Sequence, residues 1–155
     1  MSRRDARRHA FHLVFQFPFY RNVETLAEAK AWYFESLTTG GIPGLEELTR
    51  PTGQDAEYLD RAVWGVLDRV DELDRVIENF LRDWDISRIN KVDLALMRLS
   101  IYEMLCESDV PLGVAVNEAV ELAKEYGTDE SPAFVNGLLG SVSREIKQKG
   151  RDKIG

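Results

Sequence analysis

The stretch RRDARRHAFHLVFQF, residues 3–17, is a helical pattern near the start of this sequence. It contains neither glycine nor proline, so no residue within it is expected to interrupt a helix. Its apolar residues recur every three or four positions, which is the spacing of one helical face. They are Ala6, Ala10, Leu13, Val14 and Phe17. We predict a helix over residues 3–17 that ends before Pro18.

The rest of the chain repeats this spacing and predicts further helices. They cover residues 24–37, residues 54 to about 84, residues 90–106, a segment ending at Gly127 and a segment from Ser131 to Ile146. A bend is allowed near Val70. Glycines and prolines predict a surface loop over residues 38–53 and a break over residues 108–113, while residues 151–155 are expected to fray. No alternating strand pattern occurs, so the sequence predicts an all-α fold, either one helical bundle or a pair of small ones.

Three helix ends carry specific signals. Asn90, with Asp93 three residues later, is a weak capping pair at the start of a helix. Gly127 suits a left-handed C-cap. Ser131 followed by Pro132, taken as the first helical position, marks the start of the last helix.

Length and composition indicate one compact domain, which we place at residues 1–150. The chain has 155 residues, of which 44% are hydrophobic and 30% charged. It has no apolar run of about 18 residues and no signal-peptide pattern, so a soluble cytoplasmic protein without membrane contact is expected. Cys106 is the only cysteine. We expect it to be a small buried hydrophobe at a helix end rather than a reactive thiol.

Charge is distributed unevenly along the chain. The opening segment has a charge of +3, from Arg3, Arg4, Arg7 and Arg8 against Asp5. Because the net charge of the chain is −7, the remainder carries −10. An acidic protein is not a general nucleic-acid coat, because phosphate binding needs clustered positive charge. Any contact with a nucleic acid is therefore expected to be local.

Catalytic patterns are missing from the sequence. No glycine pattern resembles a phosphate-binding loop. His9 and His12 lie three residues apart, but no carboxylate at helical spacing completes a metal site, so we interpret them as solvent or core imidazoles. Asp83 with Asp85 is interpreted as a solvated cluster at a helix end. We therefore predict that the protein is not an enzyme and has neither a metal nor a cofactor.

The first predicted helix has a second, basic and aromatic face. Arg4, Arg8, Phe11 and Phe15 project within about 60° of one another, opposite the apolar stripe. Arginines near a helix N-terminus oppose the helix dipole, so helix stability does not explain them. Arginine binds phosphates and aromatic rings stack on unpaired bases, which suits single-stranded RNA. Alternatively, both phenylalanines belong to the core and the arginines form a solvated charge run.

Motifs in the second half of the chain resemble the NusB family of transcription antitermination factors. They are VDLALMRLSIYE at residues 92–103, VNEAVELAK at residues 116–124 and FVNGLL at residues 134–139, with Pro111, Tyr126-Gly127 and Ser131 between them. The opening Arg3-Arg4-x-Ala6-Arg7, followed by an apolar helix, is similar to the arginine-rich motif of that family. The resemblance covers the first 20 residues and residues 58–146.

This resemblance implies a fold and a set of partners. The fold would be two small helical bundles of about seven helices, with the first helix central. The partners would be boxA-type RNA, bound together with the ribosomal protein NusE, and the transcription elongation complex during ribosomal RNA synthesis. Whether the chain forms a homodimer is left open.

The resemblance also implies RNA-binding residues. Arg3, Arg4 and Arg7 match the arginine-rich motif, and Arg8 joins them on the basic face. Aromatic and acidic family positions are matched by the remaining candidates: Phe15, Asp93 and Phe134.

The helical projection of the last segment agrees with a role for Phe134 in RNA binding. It lies on the flank of the apolar stripe, near a helix N-terminus that favours an anion, so a base could stack there while its phosphate approaches Ser131. Gly137 and Gly140 each cost about 1 kcal/mol inside a helix. Another backbone is therefore expected to approach them, from the core or from a partner.

Two other functions compete with RNA binding. One is a helical protein-binding scaffold whose acidic surface meets a basic partner, with RNA secondary. The other is an RNA-modifying enzyme, since similar helical domains occur fused to ribosomal RNA methyltransferases. The absence of a cofactor-binding α/β domain in this sequence argues against the enzyme.

Overall fold

A computed structural model of the chain describes residues 2–16, 28, 30–31, 33–35, 51–82 and 85–151. Over these ranges the regular elements are helices and no strand occurs, which confirms the all-α class. The elements are α1 (Arg3–Gln16), α2 (Gly53–Asp68), α3 (Val70–Phe80), a 3-10 helix (Ile86–Arg88), α4 (Lys91–Cys106), α5 (Leu112–Tyr126) and α6 (Ser131–Lys149). None of the helices described is long and apolar enough to cross a bilayer.

Several sequence predictions lie partly outside the described residues. Phe17 and most of the predicted helix at 24–37 are among them, although residues 28, 30–31 and 33–35 are helical. Of the predicted loop at 38–53, only the last three residues are described. Gly53 already begins α2, with a φ of +60° that glycine adopts without strain.

The chain divides into two compact units, residues 1–67 and residues 68–155. The division falls at the end of α2, close to Arg69, which separates α2 from α3 and whose φ and ψ of −117° and 17° are not helical. The continuous helix predicted over residues 54 to about 84, with a bend allowed near Val70, is therefore two helices with a break between them. The second of them ends at Phe80 rather than near residue 84, because Leu81 is extended.

The first unit is organised by α1, in which seven of 14 residues are buried. The described members of the predicted apolar stripe, Ala6, Ala10, Leu13 and Val14, are buried as expected, and Phe11 and His9 on other faces are buried as well. Among the described residues of this unit, further large buried side chains come from α2 and from the helical residues 33–34: Tyr33, Phe34, Tyr58, Leu59, Val63 and Val66. A helix buried on more than one face needs a wider apolar surface than a single stripe provides.

The second unit packs around α4, in which ten of 16 residues are buried. Arg98 on α4 makes a bidentate ion pair with Asp74 on α3, and Ser100 donates a hydrogen bond to the carbonyl oxygen of Ala115 on α5, at 2.9 Å. Arg151, predicted to lie in a frayed tail, instead donates from Nε to the carbonyl oxygen of Met104 at 2.7 Å. These polar contacts join α4 to segments on three sides.

One capping signal is confirmed and another is wrong. The Oδ1 atom of Asn90 accepts the backbone N–H of Asp93 at 2.8 Å, as the capping pair predicts. Gly127 ends α5 but has a φ of −93°, so it is not a left-handed cap. A Cβ atom there would lie 2.5 Å from the hydroxyl oxygen of Ser131, so glycine is needed for close approach.

Candidate nucleic-acid interface

The N-terminus of α1 is closed by a reciprocal cap. The backbone N–H of Asp5 donates to the hydroxyl of Ser2 at 3.2 Å, and the backbone nitrogen of Ser2 lies 3.4 Å from the carboxylate of Asp5. This carboxylate also interacts favourably with the helix dipole. The cap offsets part of the free-energy cost of placing arginines in the first turns of α1. The Ser2 and Asp5 pair is the sequence signal for this cap, and a count of charges does not reveal it.

Two of the four arginines converge on one aromatic ring. The guanidinium carbon of Arg3 lies 4.6 Å from the ring centroid of Tyr58, and that of Arg7 lies 5.8 Å from it. The Nε atom of Arg3 also donates to Oδ1 of Asp55 at 3.1 Å. Arg7 is only 5% exposed, whereas the side chain of Arg3 is 30% exposed. Arg3 therefore presents a surface to solvent, and Arg7 is part of the packing beneath it.

The other two arginines differ in exposure. Arg4 is exposed and Arg8 is partly buried. On the same face, Phe11 is 2% exposed and belongs to the core, so the packing alternative holds for this ring. Phe15 is partly exposed, with its ring centroid 6.1 Å from that of Phe11. The basic and aromatic face is thus reduced to two arginines and one phenylalanine.

The two histidines of α1 belong to a buried aromatic cluster. Nδ1 of His9 lies 2.7 Å from the hydroxyl oxygen of Tyr33, and His12 stacks on the same ring at 6.4 Å. Desolvation lowers the pKa of His12 from 6.5 to about 4, with smaller effects from the nearby His9 and Arg8. Among the residues that the structure describes, no group of three or more His, Cys, Asp or Glu residues is arranged to hold a metal.

In the second unit, Asp93 is a buried capping residue. It is 4% exposed, and its Oδ2 atom accepts from the side-chain amide of Asn90 at 3.0 Å. Its Oδ1 atom is buried and has no hydrogen-bond partner among the described residues. The pairing with Asn90 gives Asp93 a structural role at the start of α4.

Phe134 lies in the first turn of α6 and is partly exposed, which suits an aromatic surface that a base can reach. The prediction that a phosphate approaches Ser131 is wrong for this structure, since Ser131 is 1% exposed and its hydroxyl accepts the backbone N–H of Thr128 at 2.9 Å. No atom lies within 4 Å of a Cβ built on Gly137, and a Cβ on Gly140 would meet only the Arg144 side chain. No backbone of the described residues approaches either glycine closely.

Cys106 is at the end of α4 and is exposed, so the prediction of a buried side chain is wrong. Partial desolvation of its sulfur raises the pKa of the thiol, and the carboxylates of Glu72 and Glu107 raise it further against the opposing effect of Arg69. A raised pKa reduces the thiolate fraction and hence nucleophilic reactivity.

These features define an all-helical protein, over the described residues, with a capped, arginine-bearing first helix. The chain belongs to the NusB family, which it matches over residues 4–144. It is 41% identical over 143 residues to the transcription antitermination protein NusB of Agathobacter rectalis, covering 92% of this chain and all of that protein. It is 34% identical over 151 residues to the same protein of Bacillus pumilus, covering 96% and 100%. This is a family of transcription antitermination factors and not of enzymes, as the sequence predicts.

Solved structures have the same fold. T. maritima NusB is 30% identical, with a TM-score of 0.76 over 99% of each chain. A chain in a crystal structure of the antitermination factors NusB and NusE in complex with dsRNA is 22% identical, with a TM-score of 0.72 over 92% of this chain and 96% of that one. The second comparison shows similarity of fold alone.

Proposed function

We infer that this protein is an RNA-binding antitermination factor that binds boxA-type RNA together with the ribosomal protein NusE and supports ribosomal RNA transcription in the cytoplasm. The observation that carries this inference is the arginine cluster of α1, where Arg4 is exposed and Arg3 is held on the ring of Tyr58. The relative crystallised with NusE and dsRNA supports the choice of partners. Through this assembly the protein would join the transcription elongation complex. The proposed binding of RNA and NusE does not require a homodimer.

In this proposal the contacts with RNA are divided among the candidate residues by their exposure. Arg3, Arg4 and Arg8 bind phosphates, and the partly exposed rings of Phe15 and Phe134 stack on bases. The buried Arg7 and Asp93 contribute by holding the surface in place. Because the positive charge is concentrated in the opening segment, RNA can bind there although the rest of the chain is acidic.

The acidic remainder of the chain makes a basic partner important. Outside its opening segment the protein carries a charge of −10, which repels the RNA backbone at long range. A basic ribosomal protein bound to this surface would neutralise part of that charge and extend the positive surface. The same charge favours the alternative function, a protein-binding scaffold in which RNA is secondary.

Binding of a labelled boxA RNA, measured with and without saturating NusE over a series of salt concentrations, tests the proposal. We expect affinity to be higher with NusE at every salt concentration and to fall as salt rises. An RNA of scrambled sequence is the control. Equal affinity with and without NusE, or no preference for boxA, would contradict the proposal, and binding of NusE without any RNA binding would favour the scaffold.

A further inference from the structure

We propose that Asp55 and Tyr58 are positioning residues that orient Arg3 toward a phosphate of the RNA backbone. An acidic residue would thus support the binding of an anion. This inference rests on the proposed function, because it concerns the same arginine cluster.

Asp55 and Tyr58 hold the guanidinium of Arg3 on one edge and one face. Oδ1 of Asp55 accepts the N–H of Nε at 3.1 Å, and the central guanidinium carbon lies over the Tyr58 ring, 4.6 Å from the ring centroid. Tyr58 is fully buried, so its ring is a fixed support. A hydrogen bond to Nε and a ring contact with the central carbon together restrict the movement of the guanidinium.

The outer edge of this guanidinium remains available. Arginine has five N–H donors, and Asp55 uses only the one on Nε. No residue that the structure describes accepts a hydrogen bond from Nη1 or Nη2 of Arg3, and 30% of the side chain is exposed. Two parallel N–H groups on that edge match two oxygens of one phosphate. The bound state therefore needs no rearrangement of the contact with Asp55.

The charge of Asp55 is compensated locally. Its carboxylate lies in the first turn of α2, where the helix dipole favours a negative charge. The guanidinium of Arg7 lies over the same Tyr58 ring, at 5.8 Å from its centroid. The helix dipole and the pairing with Arg3 therefore make the repulsion of phosphate by Asp55 weaker than an isolated carboxylate would cause.

The expected gain comes from ordering Arg3 before RNA arrives. A flexible side chain that becomes fixed only on binding lowers affinity by about two- to tenfold. Loss of Asp55 should therefore weaken RNA binding by about this factor, and only while Arg3 is present. A general effect of one negative charge would instead be independent of Arg3 and would have the opposite sign.

A double-mutant cycle on the full chain tests the proposal, using a labelled single-stranded boxA RNA, saturating NusE and one fixed salt concentration. Asp55→Ala should weaken binding two- to tenfold with Arg3 in place and leave it unchanged in an Arg3→Ala background. Asp55→Asn retains an oxygen acceptor for Nε and should recover most of the affinity. Glu57→Ala is the matched control, because it removes an exposed carboxylate from the same end of α2.

Affinities are compared at a temperature at which thermal unfolding shows every variant to be folded. Unchanged or higher affinity of Asp55→Ala, or an equal loss in the Arg3→Ala background, would overturn the positioning role. Wild-type affinity of an Arg3→Ala, Arg4→Ala variant is a different result, which would overturn the arginine site of the proposed function itself.

Discussion

Arg98 and Asp74 form a two-pronged ion pair between α4 and α3, with 2.7 Å from Nε to Oδ1 and 2.8 Å from Nη2 to Oδ2. The two side chains are only 16% and 24% exposed. A bidentate pair shielded in this way is stronger than an exposed one, because solvent screens it less and both hydrogen bonds have fixed directions. It ties the buried helix α4 to its neighbour.

Removal of this pair should destabilise the fold measurably. Asp74→Ala leaves a partly buried guanidinium without its carboxylate, and we expect a loss of about 1 to 3 kcal/mol in the free energy of unfolding. Chemical denaturation measures it. The control is Glu145→Ala, which breaks the exposed pair with Lys149 and should cost about 0.5 kcal/mol or less. Equal losses of unfolding free energy in the two variants would show that the Arg98–Asp74 pair stabilises the fold no more than an exposed pair does.

Replacement of Arg3 and Arg4 together should weaken RNA binding without unfolding the protein. If each arginine binds one phosphate of a single strand, the slope of log affinity against log salt should become less negative by about 1.4. A titration of boxA RNA over a salt series measures it. The control is Arg75→Ala with Arg82→Ala, which removes two exposed charges from the second unit. An unchanged salt slope in the Arg3, Arg4 variant would remove these residues from the site.

Arg7 should behave differently from its neighbours in the motif. It is 5% exposed and packs over Tyr58, so Arg7→Ala should lower the melting temperature by several degrees, through lost packing as well as lost charge. Thermal unfolding measures this effect. A variant with unchanged stability but weakened RNA binding would show that Arg7 leaves its buried position to contact RNA.

Phe134 and Leu138 should separate stacking from packing on α6. Phe134 is partly exposed, so Phe134→Ala should change unfolding little and reduce boxA affinity about ten- to a hundredfold, as loss of one base stack does. Leu138 is 7% exposed, so Leu138→Ala should cost about 2 to 5 kcal/mol of stability without a specific effect on RNA. A Phe134→Ala protein that melts early yet binds boxA normally when folded would assign Phe134 to the core.

Stability should depend on pH through His12. Its pKa is about 4 in the folded chain and 6.5 as the unperturbed value, so between these pH values the unfolded state binds more protons. The free energy of unfolding is therefore highest, as far as His12 is concerned, above pH 6.5. It decreases as the pH falls toward 4, by an amount on the order of 3 kcal/mol at most. Denaturation of the wild type and of His12→Gln between pH 4 and 8 measures it. Identical pH dependence in both proteins would exclude His12 as the cause.

Local sequence signals predicted the helices well, since hydrophobic spacing and capping are determined by residues only a few positions apart. Asn90 with Asp93 marked the start of α4, whereas the break between α2 and α3 was only allowed for as a bend near Val70. Helix ends set by other parts of the chain were predicted less well. Gly127, for example, is required by the close approach of Ser131 and not by its own backbone angle.

The sequence alone offered the arginine motif and Phe134 as candidates, because arginine and aromatic side chains are the types that bind phosphates and stack on bases, and because both match positions of the family. Which arginine faces solvent was not recognisable, since Arg3 meets a carboxylate 52 residues away on α2. Burial of Arg7 and Phe11 likewise depends on the helices that cover α1. Only the folded chain decides such contacts, because no local pattern records which distant side chains become neighbours.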